Sequence, residues 1–318
     1  MAAPFFSVVI PVYNRALELA AAIASVRAQS FQDFEIVVVD DGSQDNPRAV
    51  VDRLNDLRIR FIRQMNAGGG AARNTGIDHA QGAFVAFLDS DDVFLPRHLE
   101  SMHALLNGTT DLAGYARVRV DRGRDRVFLK PRRALQPGED MAEYLLCDRG
   151  FTATSTIAAP RQAAGRVRFD ENLRVAEDTD FAIRLSLAGC RFEMVEAPGA
   201  VWQDEFNPNR LSASKGGEEL DAWLRRVKSE ISARAWHGAR GWAFAKLIVR
   251  QRPLAALGLY LNAVVRGCYR PRLAATIFLQ IFLGPATYRK LADAGIAWLR
   301  LGLRERAQKS PAATPERA

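Results

Sequence analysis

The sequence predicts an α/β fold: a Rossmann-like, mostly parallel central sheet flanked by helices, with a C-terminal helical extension. Three observations carry that expectation. Short β-branched runs alternate with helix-patterned segments from the start, acidic and glycine turns follow several of those runs, and the last third of the chain turns basic and helical. With 318 residues, 48% apolar and 25% charged, and a mean hydropathy of −0.13, the chain can bury a large core. It is neither a disordered chain nor a polytopic membrane protein.

The elements follow in order. Ser7–Val12, Phe34–Asp40, Arg58–Ile62 and Ala83–Leu88 read as strands, several of them apolar enough to be buried on both faces. Between them, Leu17–Gln29, Pro47–Leu54 and Gly69–Ala80 carry helical patterns, and Pro96–Leu106 opens on a proline suited to a first turn. Ala113–Val120 is a further strand, and Asp121–Arg133 is a charged loop or hairpin. Glu177–Ala188 has mixed spacing, but its acidic start and the following Gly189 favour a helix. Beyond Glu218 helices dominate, broken at Pro253, Pro271 and Pro285. The domains expected are 1–217 as the catalytic α/β domain, 218–307 as a basic helical segment, and 308–318 as a disordered tail.

Charge and cysteine usage narrow the classes. Residues 222–318 hold 18 Lys and Arg against 4 Asp and Glu, a net +14, whereas 1–221 hold 26 against 32, a net −6. The basic character therefore belongs to one end. Cys147, Cys190 and Cys268 are widely spaced and read as reduced packing residues. MAAPFFSVVIPVYNR lacks a charged leader, and the longest uncharged stretches, 16 and 13 residues, fall short of the roughly 20 needed to span a bilayer. The expected location is cytoplasmic, peripheral at the inner face of the cell membrane if the basic helices meet it.

The candidate chemistry lies just after the strands, where an open parallel sheet binds its ligands. There stand Pro11-Val12-Tyr13-Asn14-Arg15, Asp40-Asp41-Gly42-Ser43 and Asp89-Ser90-Asp91-Asp92. Three carboxylates within four residues repel one another unless a cation or good donors offset them. Oxygen ligands of this kind suit Mg²⁺ or Mn²⁺ shared with a diphosphate, although an acidic helix cap is the structural alternative. In NAGGGAARNTG at 66–76 the glycines permit close backbone approach, and Arg73 can meet either the acidic rim or a phosphate. Neither GxGxxG nor a P-loop is satisfied.

In this order the motifs resemble the family 2 glycosyltransferases, which are inverting and have the GT-A fold; the resemblance covers roughly Ser7 to Ser212. VVIPVYNR resembles that family's first strand and nucleotide loop, which implies contacts from Pro11, Val12, Tyr13 and Asn14, with Tyr13 beside the base. VVVDDGSQD resembles the second, with Asp41 accepting from the base imide. AARNTGI is similar to the ARNxG segment containing Arg73, and FLDSDD to the DxD signature. The resemblance implies that Asp89 and Ser90 lie by the nucleotide, Asp89 also near the metal waters, and that Asp91 with Asp92 serves the ion. AEDTDF resembles the Glu-Asp motif, making Asp178 the general base with Glu177 on the acceptor side. By the same resemblance, Trp202 lies against a sugar, and Arg210 and Ser212 reach the diphosphate from a closing loop.

The implied activity is transfer of a single sugar from a nucleotide-sugar, commonly a UDP-sugar, to a saccharide hydroxyl. No adjacent Arg-Trp pair marks a processive polysaccharide synthase. In the basic segment, apolar residues among Arg250, Arg252, Arg266, Arg270 and Arg272 suit either helices on an anionic bilayer or a subdomain packed on the core. The former fits a polyprenyl-diphosphate-linked acceptor. Nucleic acid is not expected as a partner. A nucleotidyltransferase of similar architecture and a non-catalytic nucleotide- or membrane-binding protein are the alternatives.

Overall fold

The structure, a computed structural model, describes residues 3–123, 127–203, 216–283 and 287–288. The chain divides into two compact units between Ala239 and Arg240.

The first unit opens with β1 (Phe6–Val12), α1 (Ala16–Arg27), β2 (Phe34–Asp40), α2 (Pro47–Leu54), β3 (Ile59–Arg63), α3 (Gly69–His79) and β4 (Phe84–Phe87). These lie close to the bounds expected from periodicity. The strands pair in parallel in the order β3-β2-β1-β4, with Phe6 opposite both Phe34 and Phe84. Every residue of β2 is buried, because helices cover both faces of this half-sheet. In that register Val12 lies beside Asp40, and Asp40 beside Arg63. The loops after β1, β2, β3 and β4 therefore share one rim.

The second half follows with β5 (Val93–Phe94), α4 (His98–Leu106), β6 (Leu112–Asp121), β7 (Val127–Lys130), α5 (Met141–Cys147), a short 3₁₀ turn at Thr154–Thr156, β8 (Ala158–Pro160), α6 (Arg161–Val167), α7 (Glu177–Leu187) and β9 (Arg191–Gln203). The nine-stranded sheet continues β4-β8-β6-β9-β5, with β7 pairing β6. Here β8 runs antiparallel to β4 and β6, and β5 antiparallel to β9, while β6 and β9 are parallel. The sheet is thus parallel over its first four strands and mixed beyond. The charged stretch after β6 is a hairpin, with Val118 opposite Lys130.

Sequence periodicity did not reveal β9, and its composition explains why. RFEMVEAPGAVWQ carries two glutamates and a proline, and its pairing with β6 shifts register around Arg117 and Pro198. A bulge there accommodates a residue without an N–H donor, and it breaks the alternation that marks a strand.

Two further helices, α8 (Gly216–Val227) and α9 (Ala233–Ala239), complete the first unit. The first compact unit thus extends to Ala239. The physical reason is apolar: Leu220, Trp223, Leu224 and Val227 of α8 are all buried.

The second unit holds a π-helical turn at Arg240–Phe244, then α10 (Ala245–Ile248), α11 (Pro253–Val265) and α12 (Pro271–Phe282). Pro253 and Pro271 open their helices, where a missing N–H costs nothing. No helix among the described residues is long and apolar enough to cross a membrane. The three cysteines are buried thiols. Pro285 and the segment 308–318 lie outside the described residues.

Candidate active site

The rim is tied together by side chain to backbone bonds. Asn14, at φ 52°, donates its amide to Ser43 Oγ at 3.0 Å and accepts from the Gln44 amide on Oδ1 at 2.7 Å. Asn tolerates this left-handed conformation better than most residues. Pro11 and Val12 end β1, and Tyr13 projects 46% exposed beyond them.

Asp41 is buried and braces the next loop. It accepts from the Ala67 amide at 2.9 Å, the Gly68 amide at 2.8 Å and Gln64 Nε2 at 2.8 Å. Three of its roughly four acceptor positions are thereby filled. Gly42, at φ 79°, has no room for a side chain, since a Cβ would lie 2.9 Å from the Asn66 nitrogen.

The Asp89–Asp92 carboxylates face three ways. Asp89 accepts from Arg73 Nη2 at 2.7 Å. Asp91, with a side chain 38% exposed, pairs with Arg15 at 2.6 Å. Asp92 is turned inward and buried, accepting from Ser155 Oγ at 2.6 Å, and Ser155 Oγ also receives the Asp89 amide at 3.1 Å. Ser90 is buried. In this orientation Asp92 braces the turn through Ser155. Among the described residues, no three His, Cys, Asp or Glu side chains converge as a cage. An accessible Asp91 beside Asp89 nevertheless suits Mg²⁺ or Mn²⁺ of the kind held by one or two carboxylates, waters and substrate phosphates.

Arg73 joins this cluster to a motif about a hundred residues away. Its Nη1 donates to Glu177 Oε2 at 2.5 Å and its Nη2 to Asp89, while the guanidinium lies 5.3 Å from the Phe169 ring centroid. Burial opposes the Arg73 charge, and the two carboxylates more than restore it, so the group stays protonated. Burial pushes Glu177 up, against the pull of Arg73.

Glu177 and Asp178 open α7 after Ala176, which sits at φ 64°. An alanine held in the left-handed region costs about 1–2 kcal/mol, and such strain commonly marks a functional turn. Asp178 accepts from its neighbour's amide, Thr179 N, at 2.7 Å. Desolvation raises its carboxyl to about 6, outweighing that hydrogen bond and the nearby Arg73 charge, with Asp89 and Glu177 raising it further. Asp180 is different. It is buried between Arg184 and Trp223, whose Nε1 donates to Oδ1 at 2.7 Å.

Trp202 is the penultimate residue of β9, one position beyond Val201, which pairs with Val93, the residue after Asp92. Its ring stacks on Phe151 at a centroid distance of 5.8 Å, and Lys130 Nζ lies 5.2 Å from its centroid. Trp202 is thus part of a strand in the sheet, paired with Val120 of β6. Arg210 and Ser212 lie outside the described residues. Sequence reading missed Ser155, Phe151 and Lys130, which have no local signature and gain their positions only through long-range pairing.

Comparison with known proteins agrees with this arrangement. Residues 7–174 match the family model for glycosyl transferase family 2. The amylovoran biosynthesis glycosyltransferase AmsB of Erwinia amylovora is 32% identical over 242 residues, 72% of this chain and 79% of that one. The UDP-Glc:alpha-D-GlcNAc-diphosphoundecaprenol beta-1,3-glucosyltransferase WfgD of Escherichia coli is 40% identical over 101 residues, 31% of this chain and 40% of that one. The Staphylococcus aureus TarS 1-349 structure in complex with UDP-GlcNAc superposes with a TM-score of 0.62 at 19% identity, covering 92% of this chain and 91% of that one. The fold is the expected GT-A fold. The chain belongs to glycosyl transferase family 2.

Proposed function

We propose that the chain is an inverting, metal-dependent glycosyltransferase that moves one sugar from a UDP-sugar to a hydroxyl of a saccharide carried on a lipid diphosphate. The observation that carries this reading is the Asp89–Arg73–Glu177 bridge, which ties the acidic turn after β4 to the start of α7 and its raised Asp178. UDP as the donor nucleotide and a lipid-linked acceptor are supported by the substrates in the names of WfgD and the TarS complex.

Asp178 takes the acceptor hydroxyl proton while the oxygen attacks the anomeric carbon. The carbon–oxygen bond to the diphosphate breaks with its electron pair staying on UDP, and configuration inverts without a covalent enzyme intermediate. Asp91, with Asp89 nearby, would hold a divalent ion, which would supply positive charge for the departing diphosphate. Tyr13, with Pro11 and Val12, forms the wall for the base, and Asn14 and Asp41 hold the loops that carry it. Ser90 shapes the turn beneath the sugar. Trp202 offers a ring face to a sugar, and Glu177 positions Arg73 on the acceptor side. The lipid carrier puts the reaction at a membrane surface.

The test is to incubate the protein with a panel of UDP-sugars, Mn²⁺ and undecaprenyl-diphosphate-linked saccharides, and to assign the product's anomeric configuration by NMR. A single added sugar of inverted configuration supports the reading. Retention, or nucleotide transfer from an NTP, contradicts it.

A further inference from the structure

The second unit contains a helix whose large and small residues are distributed the wrong way round for ordinary packing. In α11 the buried face is Ala256, Tyr260 and Ala263. Leu254, Gly258, Leu261 and Val265 recur at steps of four, three and four and are exposed, which at 3.6 residues per turn confines them to an arc of about 60°. Leu254 is 83% exposed, Leu261 48% and Val265 86%.

The inside of the unit explains the inversion. A Cβ on Gly241 would lie 2.4 Å from Ala263 Cβ and 3.0 Å from the Leu259 carbonyl oxygen. The close approach at Gly241 leaves room only for a small residue at Ala263, while Tyr260 fills the rest of the buried face and Leu254 and Leu261 face outward. Isolated exposed leucines need no explanation, but a continuous apolar stripe does.

Charge identifies what would cover it. Residues 240–283 contain seven Lys and Arg and no Asp or Glu. Arg250 and Arg252 precede α11, Arg266, Arg270 and Arg272 follow it, and all five are exposed. The 13 residues of α11 itself carry no charge. At 1.5 Å per residue the helix is about 20 Å long, too short to span a hydrocarbon core of about 30 Å. An uncharged leucine stripe with arginines at both ends matches a helix lying in the plane of a bilayer, apolar face among the acyl chains and guanidinium groups among anionic headgroups.

We infer that the Leu254–Leu261–Val265 face of α11, with its flanking arginines, is a docking surface for an anionic phospholipid bilayer. This goes beyond sugar transfer and needs neither donor nor metal, so it stands or falls separately from the proposed reaction.

The test sediments the full-length protein with vesicles of phosphatidylcholine containing phosphatidylglycerol, and with phosphatidylcholine vesicles alone. The wild type should pellet with the anionic vesicles, and less so as salt rises from about 0.1 to about 0.5 M. Leu254→Asp/Leu261→Asp should lower the partition coefficient about tenfold or more, with melting temperature and UDP affinity unchanged. Arg250→Gln/Arg252→Gln should lower it about threefold to tenfold. If the double Asp variant misfolds, Leu254→Ala/Leu261→Ala should still show a several-fold loss.

Equal binding by wild type and both leucine variants would overturn the inference, since attraction would then be electrostatic alone. So would equal binding to both vesicle types. A wild-type dimer that the leucine variants dissociate, with vesicle binding unaltered, would assign the face to a second copy of the chain. Binding to duplex DNA in place of vesicles would assign the arginines elsewhere.

Discussion

The two acidic clusters of the first unit, Asp89–Asp92 and Glu177–Asp180, use their carboxylates in parallel ways in opposite surroundings. Each gives one to Arg73, through Asp89 and Glu177. Each buries one as a brace, Asp92 on Ser155 and Asp180 on Trp223 and Arg184. Each leaves one, Asp91 or Asp178, to which the proposed chemistry is assigned. The difference lies in solvation: Asp91 is open to solvent beside Arg15, whereas desolvation raises Asp178 to about 6. An accessible anionic carboxylate suits a cation, and a desolvated one suits proton transfer near neutral pH.

The largest expected effect breaks the comparison at its second member. Asp178→Asn should lower kcat by about 10³-fold, within the range for loss of a general base, with UDP affinity preserved by calorimetry. At the first member, Asp91→Ala should weaken UDP binding in Mn²⁺ by about 10- to 100-fold, towards the affinity seen with chelator. An affinity indifferent to both metal and variant would remove Asp91 from the ion.

The braces should respond in stability instead. Asp180→Ala leaves Trp223 Nε1 and Arg184 without their buried acceptor and should cost about 2–4 kcal/mol by denaturant unfolding. Asp178→Asn should have the opposite sign. Its carboxyl rises to about 6 from 3.8, so the folded state holds the proton more tightly than the unfolded one. Stability from this group is then greatest at acid pH and is lost as pH rises through about 6. Removing the charge should accordingly stabilise the protein at pH 7.5 by about 1–3 kcal/mol. The smallest effect belongs to Ser155→Ala, about 1–2 kcal/mol for the lost hydrogen bonds to the buried Asp92 carboxylate and from the Asp89 amide.

Much of this was legible in sequence where structure is local. The four parallel strands have β-branched cores and short turns, so Phe34–Asp40 and Pro47–Leu54 emerge with their observed bounds. The acidic, glycine and asparagine turns mark the rim for the same reason. What was hidden depends on distant partners. Arg73 could have met acid or phosphate on sequence grounds, and its contacts with Asp89 and Glu177 are made only by the fold. Asp92 and Asp91 are adjacent and chemically identical, and their different partners, Ser155 63 residues later for one and Arg15 for the other, come only with the fold. In α8 the packing stripe of Leu220, Trp223, Leu224 and Val227 is hidden among charged residues, so its burial is not legible from composition.

The most direct test of the division between the clusters is the pH dependence of kcat/KM at saturating Mn²⁺, for wild type and Asp178→Asn. If Asp178 is the base, the wild-type value rises about tenfold per pH unit below about 6 and is level above it, and the residual activity of the variant lacks that limb. A wild-type profile that is flat from pH 5 to 8, or an identical limb in the variant, would contradict the assignment.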